Sequence, residues 1–99
     1  MSHLIATCDL YEATYFSLNG CELEAIEGLQ ANGKVACKLT FRGENLPTLQ
    51  VQYLNGDAMV NLLQFRRAYG QLNAWVNTSR KKFKNQLKQL QHQTQGGTL

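Results

Sequence analysis

The chain has 99 residues, 43% of them hydrophobic and 17% charged, which is the composition of a single globular domain with a modest core. No segment approaches the roughly 20 consecutive apolar residues of a membrane span, and residues 1–7 lack the features of a signal peptide. We therefore expect a soluble, cytoplasmic protein with no membrane partner. Its cysteines (Cys8, Cys21 and Cys37) and two histidines show no metal-ligand spacing, so we expect reduced, packed thiols and no metal or cofactor.

The net charge of +3 conceals a division along the chain. Residues 1–57 carry seven acidic and three basic residues, whereas residues 58–99 carry seven basic residues and no acidic one. Such an asymmetry predicts an acidic partner, or like molecules that meet head to tail.

The first predicted element is a helix that Thr7 caps and that ends at Asn19-Gly20. Asp9 falls in its first turn, where the helix dipole favours a carboxylate. We expect the residues before it, including His3, to be mobile.

A two-stranded antiparallel hairpin is predicted next, because apolar residues alternate strictly over residues 35–41. The partner strand is residues 21–29, joined through the turn Asn32-Gly33. This turn places Ile26 opposite Leu39, and Glu27 opposite Lys38. A β-bulge near Glu24 or Ala25 then keeps Cys21 and Leu23 on the core face.

Two helices complete the prediction. A short helix has Pro47 in its first turn and ends at Asn55-Gly56. Asp57 is the expected N-cap of a long helix from Ala58 to Gln89. Gly70 marks a kink or a close helix contact, and Thr78-Ser79 ends the well-packed part. The apolar stripe of this helix is Leu62, Phe65, Tyr69, Leu72, Val76, Phe83 and Leu90.

These elements define an α+β fold: N-terminal helix, two-stranded hairpin, short helix and long C-terminal amphipathic helix. Residues 1–79 are predicted to form the compact domain. Residues 80–99 are predicted to be a basic helical extension followed by a disordered Gln- and Gly-rich tail.

The basic stretch of the long helix is the strongest candidate for a functional site. Its cations can neutralise successive phosphates of a nucleic acid. The alternative is a solvated helix face that maintains solubility. That alternative is weakened by the absence of Asp and Glu after Asp57, because solvated faces usually interleave both signs. The candidate residues are Arg80, Lys81, Lys82, Lys84 and Lys88, with Arg66 and Arg67 as an extension of the patch.

The outer part of the apolar stripe has two interpretations. It is either core that covers the hairpin, or an interface with another copy of the chain. Under the second, we predict a homodimer through the long helix or through joined hairpin edges. The helix residues of that interface are Val76, Phe83, Leu87 and Leu90.

No residue is predicted to be catalytic. The acids of residues 1–57 are explained by helix starts and by cations across the hairpin, and no pair has the arrangement of a general acid and base. Cys8 could be an activated thiol at a helix start, but no histidine is near it in sequence. We therefore expect a packed thiol, with a thiol enzyme as the less favoured alternative.

Short motifs add a resemblance over residues 7–77. They are Asp9-Leu10-Tyr11-Glu12-Ala13, Leu18-Asn19-Gly20, Leu39-Thr40-Phe41, Tyr53-Leu54-Asn55-Gly56-Asp57-Ala58, Phe65 and residues 67–72. In these motifs and in element order the chain resembles a family of short bacterial and phage proteins classed as a domain of unknown function. Arg42-Gly43-Glu44 replaces the acidic or Thr-rich turn of that family, and the basic extension after Thr78 lies outside its pattern. The resemblance implies the fold and no activity.

The sequence therefore predicts a non-enzymatic binding protein with no small-molecule substrate. The first hypothesis is sequence-nonspecific nucleic-acid association through the basic helix. The second is a protein-interaction module or homo-oligomer built on the long helix or the hairpin edges.

Overall fold

The structure, a computed structural model, describes residues 2–97, and its side chains except those of Ala31 and residues 91–97. The elements in chain order are β1 (His3–Thr7), α1 (Leu10–Leu18), β2 (Glu22–Ala31), β3 (Lys34–Gly43), α2 (Leu46–Asn55) and α3 (Leu62–Gly97). The predicted α+β class and the long C-terminal helix are confirmed.

The predicted two-stranded hairpin is wrong in strand number, because β1 adds a third strand. The sheet is antiparallel with the order β1-β3-β2, and Ile5 pairs with Phe41. His3 thus belongs to an edge strand, where we had expected a mobile start. Adjacent Leu4 and Ile5 give no clean alternation, and the partner strand lies more than 30 residues away, so no local pattern reveals this pairing.

The details predicted for the hairpin are confirmed. Asn32 and Gly33 have φ of 52° and 76°, as the expected two-residue turn requires. Ile26 pairs with Leu39, and Glu27 with Lys38. The register shifts between Leu23 and Ala25, which places the bulge at Glu24.

The cap predicted for α1 is wrong by two residues. Asp9 is the N-cap, and its Oδ1 accepts hydrogen bonds from the backbone N–H of Tyr11 at 2.9 Å and of Glu12 at 3.4 Å. Thr7 ends β1 instead, where its Oγ1 accepts from the N–H of Asp9 at 3.0 Å. Both residues suit a cap, and pairing of β1 with β3 decides between them.

The helix α2 follows the prediction, with Pro47 in its first turn and Gly56 (φ 80°) as its C-cap. The start predicted for α3 is wrong, because residues 57–61 are not helical and Ala58 packs against the core. Asn61 is at the true start: its Oδ1 accepts from the N–H of Gln64 at 3.1 Å. Asp57 therefore does not cap this helix.

The three helices cover one face of the sheet. The core is Ala13, Tyr15, Phe16, Cys37, Leu39, Phe41, Leu46, Leu49, Leu72 and Val76. Phe16 meets Phe41 edge to face, with ring centroids 5.8 Å apart. Leu72 and Val76 are the contribution of α3, so this helix is part of the core over its middle turns.

The helix α3 is continuous through both predicted weak points. Thr78 satisfies its hydroxyl by donating to the carbonyl of Ala74 at 3.1 Å, within the helix. A Cβ built on Gly70 would meet nothing within 4 Å, so the predicted close contact there is wrong. The 36 residues of α3 span about 54 Å at 1.5 Å per residue, which accounts for the 57 Å length of the molecule.

The predicted disordered tail falls on residues 91–97, whose side chains are not described, and on residues 98 and 99, which lie outside the described residues. It stays a prediction. Within residues 2–97, no helix combines the length and apolar character needed to cross a membrane.

Candidate nucleic-acid interface

The orientation of α3 is fixed by its contacts with the hairpin. Val76 is buried, and the thiol of Cys37 lies 3.7 Å from the Val76 carbonyl oxygen. Two turns further on, the ring of Phe83 occupies the space where a Cβ on Gly28 would stand. A glycine is needed at that position of β2 because any side chain would overlap the ring. The helix is therefore held against the sheet as far as Phe83.

This orientation directs five cations away from the sheet. At 100° per residue, Arg66, Arg67, Lys81, Lys84 and Lys88 lie about 80° to 180° from Val76 around the helix axis. Lys82 lies on the other flank, about 120° from Val76. All six side chains are exposed. The structure thus brings most of the predicted basic residues to one side of α3.

Arg80 differs from the other candidates. It lies one turn after Val76, is half-buried, and its Nε is buried without a hydrogen-bond partner. Its aliphatic stem therefore covers apolar surface beside the core. Arg80 is the least available of the predicted phosphate ligands.

The exposed cations of α3 have no carboxylate partner among the described side chains. The ion pairs in this part of the chain are Lys38 with Glu27 at 3.6 Å and Arg42 with Glu24 at 2.6 Å, both on the hairpin. These two pairs agree with the structural role predicted for the hairpin acids. The positive potential along α3 is consequently not neutralised by neighbouring acids.

The four predicted interface residues do not share one accessible surface. Val76 is 5% exposed and belongs to the core of its own chain. Phe83 and Leu87 are half-buried, and Phe83 covers Gly28, whereas Leu90 is 59% exposed. Val76 is therefore unavailable to a second copy in this conformation.

Aromatic and acidic side chains tie α1 to both of the later helices. Tyr11 stacks on Tyr69 and Phe65 of α3, with ring centroids 5.3 Å and 6.2 Å apart. The hydroxyl of Tyr53 donates to Asp9 Oδ2 at 2.6 Å, and this hydrogen bond raises the pKa of Tyr53 to about 12. These contacts position the first turns of α3.

The cysteines lie in three different environments. Cys37 is buried and Cys21 is half-buried, and burial raises the pKa of the Cys21 thiol. Cys8 is exposed, so the expectation of a packed thiol is wrong there, because Cys8 lies in the connection after the edge strand β1. His3 lies at the other end of β1, about 16 Å away along an extended strand.

The arrangement around Cys8 gives no support to a thiol enzyme, since His3 is too distant to act as its base. The side chain of His92 is outside the described residues. Within the part of the chain that the structure describes, no group of three or more His, Cys, Asp or Glu side chains could hold a metal ion.

A group of exposed apolar side chains around the junction of α2 and α3 was not predicted from the sequence. It consists of Val51, Leu54, Met59, Val60, Leu62 and Leu63, and we call it the apolar patch. Leu62 was assigned to the buried stripe, yet it is 72% exposed. The adjacent pairs Met59-Val60 and Leu62-Leu63 of the predicted helix were a usable sign, because neighbouring residues of a helix do not both face one core.

Comparison with protein-family models, with curated proteins and with solved structures gives no significant match. The resemblance to a family of unknown function therefore remains a prediction.

Proposed function

We propose that this protein binds nucleic acid without reading its sequence, by contacts of α3 with phosphates, and that it acts by binding and not by catalysis. Lys81, Lys84 and Lys88 are the principal contacts. Lys82 adds charge on the opposite flank, and Arg80 contributes less because part of its side chain is buried.

The observation that supports the proposal most directly is the unbalanced charge of α3. Cations that serve only solubility are usually interleaved with acids, and this helix has none. A polyanion supplies the missing negative charge, and binding gains free energy from the counterions that it releases. Exposed lysines on long flexible stems suit this role because they do not demand one phosphate geometry.

The positions of the cations also predict a dependence on ligand length. Residues 80–88 cover about 12 Å of the helix, whereas Arg67 lies about 21 Å from Lys81 along the axis. A short oligonucleotide can therefore contact the C-terminal cluster alone. A longer one gains contacts with Arg66 and Arg67 only if it follows the helix.

The proposal is tested by fluorescence anisotropy with labelled duplex and single-stranded DNA of about 20 nucleotides, at about 50 mM and about 200 mM salt. The variant K81Q/K84Q/K88Q should bind at least about 30-fold more weakly at the lower salt concentration. The matched control K34Q/K38Q/R42Q removes three cations from the hairpin and should lose about twofold or less, because those residues lie outside the proposed surface.

Circular dichroism checks that both variants keep the wild-type fold. Absence of binding at low salt would contradict the proposal. Equal losses in the two variants would show that net charge alone attracts the ligand and that α3 is not its site.

The apolar patch favours a second candidate function, a protein-interaction module or homo-oligomer. Assembly through hairpin edges is less favoured, because the bulge at Glu24 and the acids of β2 oppose addition of another strand. The patch itself is accessible and offers a more specific surface.

A further inference from the structure

The helix α3 carries four residues of the Phe, Tyr or Trp type, and three of them have partners inside the molecule. These three pack against α1 or the hairpin and are Phe65, Tyr69 and Phe83. The fourth, Trp75, is the only tryptophan of the chain and is 46% exposed. Among the described side chains, its ring stacks on no other aromatic ring and its indole N–H donates no hydrogen bond. Trp75 is thus the aromatic residue of α3 that the fold does not use as a contact between rings.

The position of Trp75 on the helix accounts for this exposure. At 100° per residue it lies about 100° from Val76, whereas the other three aromatic residues lie within about 20° of Val76. Its neighbours on that flank, within about 40° around the axis, are Gln71 and Lys82, and both are exposed. A large aromatic side chain on a polar flank is not needed to complete a core, and such residues are enriched where proteins bind partners.

The charge around Trp75 indicates the kind of partner. Lys81 and Lys82 lie about 9 Å and about 10.5 Å beyond it along the axis, and Arg67 lies about 12 Å before it. No acidic residue is present on α3. An aromatic face between cations is complementary to a polyanion that carries flat rings. A lipid surface is less favoured, because the apolar stripe of α3 that could enter it is packed in the core through Val76.

We propose that Trp75 stacks on an unpaired base, and that the nucleic acid held by α3 is therefore single-stranded. This inference rests on the proposed contact of α3 with phosphates. The faces of the bases are accessible in a single strand, whereas in a duplex the neighbouring base pairs cover them and a side chain must unstack them to enter. Stacking tolerates any base, so it is compatible with binding that does not read the sequence.

The two adjacent lysines connect Trp75 with the principal contacts. Lys82 lies about 20° from Trp75 around the axis, and Lys81 lies about 100° further round, on the flank of Lys84 and Lys88. A strand whose phosphates contact Lys81 and Lys82 therefore crosses the outward side of α3 towards Trp75. The axial distance from these lysines to Trp75 corresponds to about three nucleotides at about 3.4 Å each.

The fluorescence of Trp75 tests the proposal directly, because no other tryptophan contributes to the signal. The wild-type protein is titrated at about 50 mM salt with a mixed-sequence DNA strand of about 20 nucleotides, and separately with the duplex of that sequence. At saturation the single strand should quench the emission by at least about half, and the duplex by about a tenth or less, because only an unpaired base lies against the indole. The single strand should also bind at least about threefold more tightly than the duplex.

Substitution of Trp75, followed by fluorescence anisotropy of the labelled DNA, gives a second measurement. Trp75→Leu should weaken binding of the single strand at least about fivefold and binding of the duplex about twofold or less. Trp75→Phe retains an aromatic face and should stay within about threefold of the wild type. The matched control Leu54→Ala shortens a side chain that is 71% exposed on α2, and it should leave both affinities within about twofold. Circular dichroism checks the fold of each variant.

Failure of this inference differs from failure of the proposed function. Lysine-dependent binding without quenching of Trp75, or tighter binding of the duplex, would overturn the stacking and leave the phosphate contacts in place. Absence of binding to either DNA at low salt would overturn both. A change in Trp75 emission with anionic vesicles, together with no response to the single strand, would overturn the inference and assign Trp75 to a lipid surface.

Discussion

Five charged side chains of residues 2–57 have partners inside the molecule, whereas the exposed cations of α3 have none among the described side chains. Asp9 caps α1 and accepts from Tyr53, while Glu24 and Glu27 pair with Arg42 and Lys38. The exposed lysines of α3 sit on a helix without a carboxylate. In the first region, these five charges are paired within the molecule. The second leaves charge available to a ligand, although both belong to one domain.

Phe83 is one of the contacts that join the two regions, together with Leu72 and Val76 of the core, and its removal is the largest loss of stability predicted here. Phe83→Ala removes the ring that covers Gly28, and because the ring is half-buried we expect a loss of about 2 kcal/mol in the free energy of unfolding. Urea denaturation followed by circular dichroism measures this loss. Leu90→Ala, at a more exposed position of the same helix, should cost about 0.5 kcal/mol or less. Similar losses in both variants would show that the Phe83 contact holds nothing in place.

The difference in charge between the two regions can be removed by adding acidic residues to α3, beside its lysines. Asn77→Glu and Asn85→Glu, both at exposed positions, place carboxylates one turn from Lys81, and the second of these carboxylates also lies three residues from Lys88. No lysine is removed, yet nucleic-acid affinity at low salt should fall about tenfold, because the phosphates now compete with side-chain carboxylates.

The matched control for that variant is N77Q/N85Q, which should bind like the wild type. The free energy of unfolding should be unchanged or slightly higher in the acidic variant, since each new pair contributes about 0.3 kcal/mol to the helix. Undiminished affinity would mean that the available charge of α3 does not determine binding.

Most of the helices and strands were predicted from the sequence because neighbouring residues specify them. Alternation over residues 35–41 and the turn Asn32-Gly33 specify the hairpin, and the misplaced acid in its register revealed the bulge at Glu24. β1 was missed because the pairing of Ile5 with Phe41 is long-range. The start of α3 was misplaced because Asp57 and Asn61 are both good caps, and packing of Ala58 against the core selects the second.

The candidate site, like the fold, could be predicted only in part from the sequence. Composition alone identified the cations of α3, but only the position of Val76 in the core shows which side of the helix they occupy. The apolar patch was not predicted, because periodicity was used to find core residues and the extra apolar neighbours Met59-Val60 and Leu63 were left unexplained. Apolar residues outside the core-facing stripe of a helix are the residues that most directly indicate a binding partner.

The smallest expected effect concerns the hydrogen bond between Tyr53 and Asp9, in residues 2–57. Tyr53→Phe deletes the hydrogen bond to Asp9, and we expect a loss of about 1 kcal/mol in the free energy of unfolding at neutral pH. The carboxylate raises the pKa of Tyr53 from its ordinary value of 10.0 to about 12, so the folded state holds this proton more tightly than the unfolded chain does. The contribution is therefore complete below about pH 10 and is lost as the pH rises towards 12. Urea denaturation at several pH values should show the wild type and Tyr53→Phe converging over that range, and a constant difference between them would exclude Asp9 as the cause.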